Sequence, residues 1–254
     1  MQPSTKGVVD VVFCLDASGS MAPCIDGVRR NVGAFLDGLA GDANRKIDCR
    51  MDFLAHSCDE AGQLFRSESS RWQNQDLISR LYSANTTPAD FFTTEPSTIR
   101  SGLDRVAVYG DEAMLVALDL ALDFPWRLRA GCHRVVVMLT DEPMESNAPA
   151  NGTSQASRIG EVIDKIHALG VMLFLVGPKS AGLDELAEAD KSQYQQVQQA
   201  EDGLGSLDFA RVLAHVGKSV SVANPQGQPE RPVRRALFGQ DRWVASGLEI
   251  KGGK

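Results

Sequence analysis

No stretch of this 254-residue sequence is long and apolar enough to cross a membrane as a helix. The longest apolar runs, such as Val8 to Leu15, are strand-sized, well short of the roughly 20 residues a bilayer requires. The beginning, Met1-Gln2-Pro3-Ser4-Thr5-Lys6-Gly7, lacks the apolar segment of a secretory signal. An excess of positive charge is missing too. With 33 acidic against 26 basic residues and a formal charge of −7, the chain does not offer the basic footprint that nucleic acid or anionic membrane would need. A cation or a basic protein surface fits better. The five cysteines are odd in number and contain no CxxC pair, which argues against a zinc knuckle or a complete disulfide framework. Cys14, Cys49 and Cys132 lie in or beside apolar strands and read as small buried thiols in a reducing compartment, so a soluble, cytoplasmic protein is expected. His56 and Cys58 are too few to hold a metal by themselves. No GxxxxGK[ST] phosphate loop is present. Neither Ser18, which follows Ala17, nor Ser20, which precedes Met21-Ala22, sits in a GxSxG elbow. Internal repeats and low-complexity segments are absent as well.

What is present alternates between strand and helix. Val8 to Leu15 is a nearly continuous apolar run ending at Asp16, the pattern of a strand covered on both faces in a parallel sheet. Ile25, Val28, Val32, Phe35, Leu36 and Leu39 then recur at helical spacing, predicting a helix from about Pro23 to Leu39. Ile47 to Ala55 predicts a second strand, and Gly62 to Arg66 a short antiparallel edge strand, since no helix fits between them. Leu77, Ile78 and Leu81 predict a helix over Gln75 to Ser83. The turn-rich stretch Asn85 to Ser97 reads as a surface loop, and Gly110 as the opening of a helix that stops at Pro125. Arg134 to Thr140 is a second buried strand running into an aspartate, Asp141. A loop with Pro143, Pro149 and Gly152 leads to a helix carrying Ile159, Val162, Ile163, Ile166 and Leu169, with Gly170 as its C-cap. Val171 to Val176 is the next strand, broken by Gly177-Pro178, and Leu183 to Gln199 and Leu207 to Val220 read as two closing helices. From Asn224 onward Pro225, Gly227, Pro229 and Pro232 mark a linker, followed by Arg231, Arg234 and Arg235 and a tail with Leu237, Phe238 and Trp243. The organisation is one domain over residues 1–223 and a Pro/Gly-rich linker with a C-terminal tail over 224–254. That tail either docks on the domain or a partner or is a partly ordered terminus.

In an open α/β sheet, ligands bind beyond the carboxyl ends of the strands where the strand order reverses. The polar residues at those ends are therefore the candidates. Asp16-Ala17-Ser18-Gly19-Ser20-Met21 places a carboxylate and two hydroxyls at i, i+2 and i+4 on a tight turn. Such an all-oxygen set suits a hard cation, and Mg²⁺ prefers octahedral oxygen coordination while keeping several waters. Hydroxyl ligands bring no formal charge, so the ion remains able to accept a further anionic ligand. The loop Gly110-Asp111-Glu112 and the strand end Asp141 can add carboxylates from neighbouring loops. The bland alternative is that these residues only cap: Ser18 and Ser20 as N-caps of the following helix, Asp141 as a turn former. His133 and His167 read as structural.

Asp16-Ala17-Ser18-Gly19-Ser20-Met21 resembles the DxSxS signature of von Willebrand factor A domains, the metal-ion-dependent adhesion site. Thr140-Asp141 after an apolar strand is similar to the family's later metal-site aspartate. Gly110-Asp111-Glu112, followed by a helix and Trp126-Arg127, resembles the middle metal loop of bacterial and integrin-β-like members. Roughly residues 8 to 222 follow the family's order of elements. The resemblance implies a doubly wound three-layer α/β/α fold, Rossmann-like, with a mostly parallel central sheet and one antiparallel edge strand. It implies that Ser18 and Ser20 bind the metal directly while Asp16 and Asp141 hold it through waters. Where many members carry a threonine, this sequence offers Asp111 and Glu112, with Asp111 the preferred ligand. An additional carboxylate there should strengthen cation binding and reduce the ion's demand for a second anion.

The function implied is recognition of an Asp or Glu on a partner protein through Mg²⁺, with Ca²⁺ or Mn²⁺ as alternatives, and without catalysis. Intracellular bacterial members of the family act with AAA+ or MoxR-like ATPases or other operon-encoded proteins in stress and defence systems. A metal-dependent hydrolase or phosphatase using the same cation is the competing reading. A haloacid dehalogenase-like enzyme would place a second acid two residues after Asp16, where Ser18 stands instead.

Overall fold

A computed structural model describes residues 7–40, 47–59, 64–127, 132–144, 149–150, 153–197, 204 and 208–222. The linker and tail, and the part of the expected edge strand at Gly62 and Gln63, lie outside these residues. In chain order the elements are β1 (Gly7–Asp16), α1 (Ala22–Ala40), β2 (Ile47–Cys58), β3 (Phe65–Glu68), α2 (Asn74–Leu81), α3 (Pro96–Leu103), α4 (Met114–Leu122), β4 (Cys132–Leu139), β5 (Pro149–Ala150), β6 (Thr153–Ser154), α5 (Ile159–Leu169), β7 (Val171–Pro178), α6 (Ala181–Leu186), β8 (Gln193–Val197) and α7 (Phe209–Val222). Short 3₁₀ turns cover Gly19–Met21, Pro88–Asp90 and Ala156–Arg158.

Six strands form one sheet in the order β3-β2-β1-β4-β7-β8, and β5 and β6 pair as a separate small hairpin. Only β3 runs antiparallel in the large sheet, against β2; the pairs β1 with β2, β1 with β4, β4 with β7 and β7 with β8 are parallel. The expected three-layer α/β/α architecture is therefore present. After β1 the chain moves to β2 on one side, and after β3 it returns to β4 on the other. Strand order thus reverses between β1 and β4, beyond Asp16 and Leu139, the place where open α/β sheets bind ligands.

Alternation along β1 distributes its side chains to two cores. Val9, Val11, Phe13 and Leu15 pack with Met21, Ile25, Val28 and Val32 of the α1 segment, Ile99 and Leu103 of α3, and Phe209, Val212 and Val216 of α7. Val12 and Cys14 face the other layer, where α2, α4, α5 and α6 pack. All nine residues of α4 are buried, as expected of a helix apolar nearly all round; its one charge, Asp119, meets Lys165 Nζ at 2.6 Å. Gly170 adopts φ +63° at the end of α5, the left-handed C-cap expected there.

Asp10, inside the apolar run of β1, is fully buried. Arg50 Nη2 reaches its Oδ2 at 2.9 Å, while Arg127 donates from Nε to Oδ1 at 2.7 Å and from its backbone N to Oδ2 at 2.8 Å. These bonds lie toward the end of the sheet opposite Asp16 and Leu139.

Four elements differ from the sequence-based expectation. The chain at Gly110 does not open a helix; α4 starts at Met114, because Gly110 takes φ +62° and Asp111 bridges to Cys58. The loop over 85–97 contains a 3₁₀ turn capped by Thr87 and Asp90 and gives way to α3 at Pro96. The segment 183–199 is not one helix: α6 ends at Leu186, Lys191 turns the chain at φ +62°, and β8 pairs with Phe174–Pro178. Pairing along an open sheet edge outweighs the weak helical preference of its glutamines. For the same reason β7 continues through Gly177-Pro178, which pair with Gln196 and Val197.

Candidate functional site

Asp16 is the last residue of β1 and is buried. Its Oδ1 accepts a hydrogen bond from Ser18 N at 2.8 Å, and its Oδ2 accepts one from Thr140 Oγ1 at 3.0 Å. Thr140 Oγ1 in turn accepts from Glu142 N at 3.2 Å. One carboxylate therefore ties the turn after β1 to the turn after β4. Thr140 orients Asp16, a role that the sequence signals only by a threonine before Asp141.

Two oxygens at this junction have no protein partner. Ser18 and Asp141 are both 4% exposed, yet Ser18 Oγ and Asp141 Oδ1 make no hydrogen bond. Ser18 occupies the N-cap position of the Gly19–Met21 turn without a side-chain capping bond, so its hydroxyl is not spent on capping. Native structures rarely leave buried polar atoms unpaired, and such atoms are places where a water or an ion can complete the bonding. Ser20 lies half-buried inside that 3₁₀ turn.

The third loop is stitched to the other two through its backbone. Tyr109 N donates to Ala17 O at 2.8 Å, and Ala17 N to His56 O at 2.9 Å. Cys58 and Asp111 exchange backbone hydrogen bonds of 2.9 and 3.0 Å, and Cys58 Sγ donates to Glu112 O at 3.4 Å. A Cβ on Gly110 would lie 2.0 Å from Cys58 O, so only glycine lets the loop approach β2 so closely. Asp111 is exposed and Glu112 buried. The fold thus brings Asp16, Ser18 and Asp141 together and sets the loop bearing Asp111 and Glu112 beside them.

The electrostatics are those of two neighbouring buried carboxyl groups. Burial raises the Asp16 carboxyl to about 7; Ser18 and Thr140 pull it down, and the neighbouring Asp141 charge adds to the rise. The Ser18 side chain sits beside the Asp16 carboxylate and favours its ionised form. Burial also raises the Cys14 and Cys24 thiols, with Asp16 acting on both and Asp141 on Cys24. Both thiols therefore stay protonated. Among the described residues no three His, Cys, Asp or Glu side chains form a metal-holding group; the converging donors are two carboxylates and a hydroxyl. This oxygen set fits a hard cation such as Mg²⁺ rather than a thiophilic metal.

The histidines lie apart from this chemistry. His56 pairs in register with Asp16 on the neighbouring strand, but burial lowers its pKa to about 3, and its ring packs on Phe65 at 5.6 Å. His133 is buried in β4. His167 is exposed and accepts from Asp190 N at 2.9 Å. All five cysteines are free thiols, four of them buried. Among the described residues no helix is long and apolar enough to span a membrane.

Comparison with known structures agrees with this fold. A von Willebrand factor type A protein from Catenulispora acidiphila has a TM-score of 0.51 at 16% identity, with 84% of this chain and 43% of that one aligned. The PilB minor pilin from Streptococcus sanguinis gives 0.51 at 14% identity, covering 85% and 61%. The pilus adhesin SpaC from Lactobacillus rhamnosus GG gives 0.51 at 14%, covering 85% and 31%. This chain spans less than two thirds of the length of each of these proteins, and at such identities the likeness is one of fold. No curated protein sequence matches the chain. The sequence profile of the von Willebrand factor type A domain matches residues 10–204, and the chain belongs to that family.

Proposed function

We propose that this domain recognises an acidic side chain on a partner protein through a divalent cation, Mg²⁺ in the first instance, held at the carboxyl ends of β1 and β4. The observation that carries the reading is the pair of buried oxygens without hydrogen bonds, Ser18 Oγ and Asp141 Oδ1, set beside the buried carboxylate of Asp16. Asp16, Ser18, Ser20 and Asp141 would hold the ion, with Asp111, or Glu112 in its place, contributing from the middle loop. Both Asp16 oxygens already accept a hydrogen bond, which suits contact through water better than direct ligation. Once bound, the ion supplies positive charge and Lewis acidity that an incoming carboxylate can satisfy. Neutral hydroxyl ligands leave more of that charge available to the partner.

The setting we propose is cytoplasmic, supported by five free thiols. The partner would be a protein with an exposed Asp or Glu, an AAA+ or MoxR-like ATPase of a bacterial stress or defence system being one such candidate. Affinity capture from the source cells tests the reading. Capture of one defined partner in Mg²⁺, its loss in EDTA, and its loss with Asp16→Ala in Mg²⁺ are expected. Equal recovery of that partner in excess EDTA refutes metal-dependent recognition.

A further inference from the structure

The first turn of α4 presents a problem of hydrogen bonding. The opening N–H groups of any helix have no partner within it. Here the whole of α4 is buried, and its N-cap residue, Ala113, has no side chain able to accept. Ala117 N closes the first turn on Ala113 O at 3.0 Å. Leu115 N is instead satisfied from a distant part of the chain: it donates to Gln155 Oε1 at 3.0 Å, across 40 residues.

Gln155 is itself 2% exposed and follows directly on β6. Its own carbonyl accepts from Arg158 N at 3.0 Å, which fixes its backbone at the entry to α5. It belongs to the same β4–α5 connection as Asp141, while Leu115 lies only three residues beyond Glu112 and four beyond Asp111. A single buried hydrogen bond thus spans from the connection carrying one candidate metal carboxylate to the loop carrying the others. Neither end has an alternative in water.

We infer that Gln155 is a positioning residue for the cation site: its side-chain oxygen caps α4 in trans and sets where the Asp111–Glu112 loop stands relative to Asp141. This rests on the metal-dependent reading above. Gln155 does not itself touch the ion; it acts through Leu115 N and the backbone of the middle loop.

The test uses the full chain, Mg²⁺ as the titrant in calorimetry, and amide hydrogen exchange. Gln155→Met keeps the length and apolar packing but removes the acceptor. It should weaken Mg²⁺ binding about tenfold, the lower end of what loss of an outer-shell partner does, and speed exchange at the Leu115 amide. Gln155→Glu retains an acceptor and should hold the dissociation constant within about threefold of wild type. Ile166→Val, a core change in α5 away from this bond, controls for lost stability and should leave the constant unchanged. In the wild type, saturating Mg²⁺ should slow exchange at Leu115, because coupling between the bond and the ion is reciprocal; this holds even if Gln155→Met fails to fold. Wild-type Mg²⁺ affinity in Gln155→Met, or Leu115 exchange indifferent to Mg²⁺, overturns the positioning role and leaves the metal reading intact. Failure of the wild type to bind Mg²⁺ overturns both.

Discussion

Replacing Ser18 with alanine separates a binding role from a packing role, because the two predict opposite changes in stability. The hydroxyl is buried, makes no hydrogen bond and caps nothing. An unpaired buried polar atom costs roughly 1–3 kcal/mol. Deleting one oxygen leaves a gap smaller than a methyl group, so little packing is lost. In EDTA, Ser18→Ala should therefore be more stable than the wild type by about 1 kcal/mol, at the low end because the hydroxyl also helps to hold Asp16 ionised. With Mg²⁺ at about 100 times its dissociation constant, the wild type should gain about 2.7 kcal/mol from binding to the folded state alone. The variant should gain almost nothing. The two proteins thus exchange rank: the variant is the more stable in EDTA, and the wild type in saturating Mg²⁺. Urea unfolding followed by tryptophan fluorescence in the two buffers measures all four values. If Ser18→Ala loses stability in EDTA, or gains as much from Mg²⁺ as the wild type, the hydroxyl is a packing group and not a ligand.

Three further perturbations test other parts of the structure. Asp52 is fully buried, with Oδ1 accepting from Phe53 N and Ser70 N, and burial raises its pKa to about 7. The folded state therefore keeps a proton that the unfolded chain releases near pH 4. Its contribution is complete below that pH and falls by about 1.4 kcal/mol per pH unit up to about 7. The stability of Asp52→Asn relative to wild type should rise by the same amount per unit from pH 4 to 7 and level off above, and a flat difference in urea melts disproves the assignment. Gly110→Ala places a Cβ 2.0 Å from Cys58 O at a positive φ. It should lower stability by more than about 2 kcal/mol and weaken Mg²⁺ binding, as thermal melting and calorimetry would show; wild-type values in both contradict the account of that loop. Arg127→Met strips Asp10 of one of its two guanidinium partners, with a loss of about 3 kcal/mol expected since Arg50 remains. Its Mg²⁺ affinity should stay at the wild-type value because the change lies at the opposite end of the sheet, and a parallel loss in calorimetry would refute that separation.

The parts of the fold that were legible in the sequence are those whose signal is local. Two apolar runs ending in Asp16 and Asp141, and helices repeating apolar residues every three or four positions, need no knowledge of a partner. Elements defined by distant partners were not legible. β8 is a strand because Phe174–Pro178 lie open beside it, and nothing in Gln193–Val197 itself outweighs a helical reading. The start of α4 was misplaced because Gly110 serves a close approach to Cys58, a contact 52 residues away that no spacing rule sees. Asp10 is the one charge inside the apolar run of β1, and its guanidinium partners are 40 and 117 positions away.

The candidate site divides in the same way, and the division bears on its chemistry. Residue types and spacing indicate an oxygen-rich turn, but not which oxygens the protein has already used. That depends on Thr140, 124 residues from Asp16, donating to one carboxylate oxygen, and on Ser18 N donating to the other. The folded chain engages both oxygens of Asp16 in hydrogen bonds and leaves the Ser18 hydroxyl and one Asp141 oxygen without any. With Asp16 held to contact through water, a neutral hydroxyl and Asp141 offer a hard cation less charge at direct contact than two ligating carboxylates would, and Asp111 or Glu112 would offset part of that difference. The less charge the protein supplies, the more an ion at this place depends on an acid from outside, which is the property a recognition site requires and a storage site avoids.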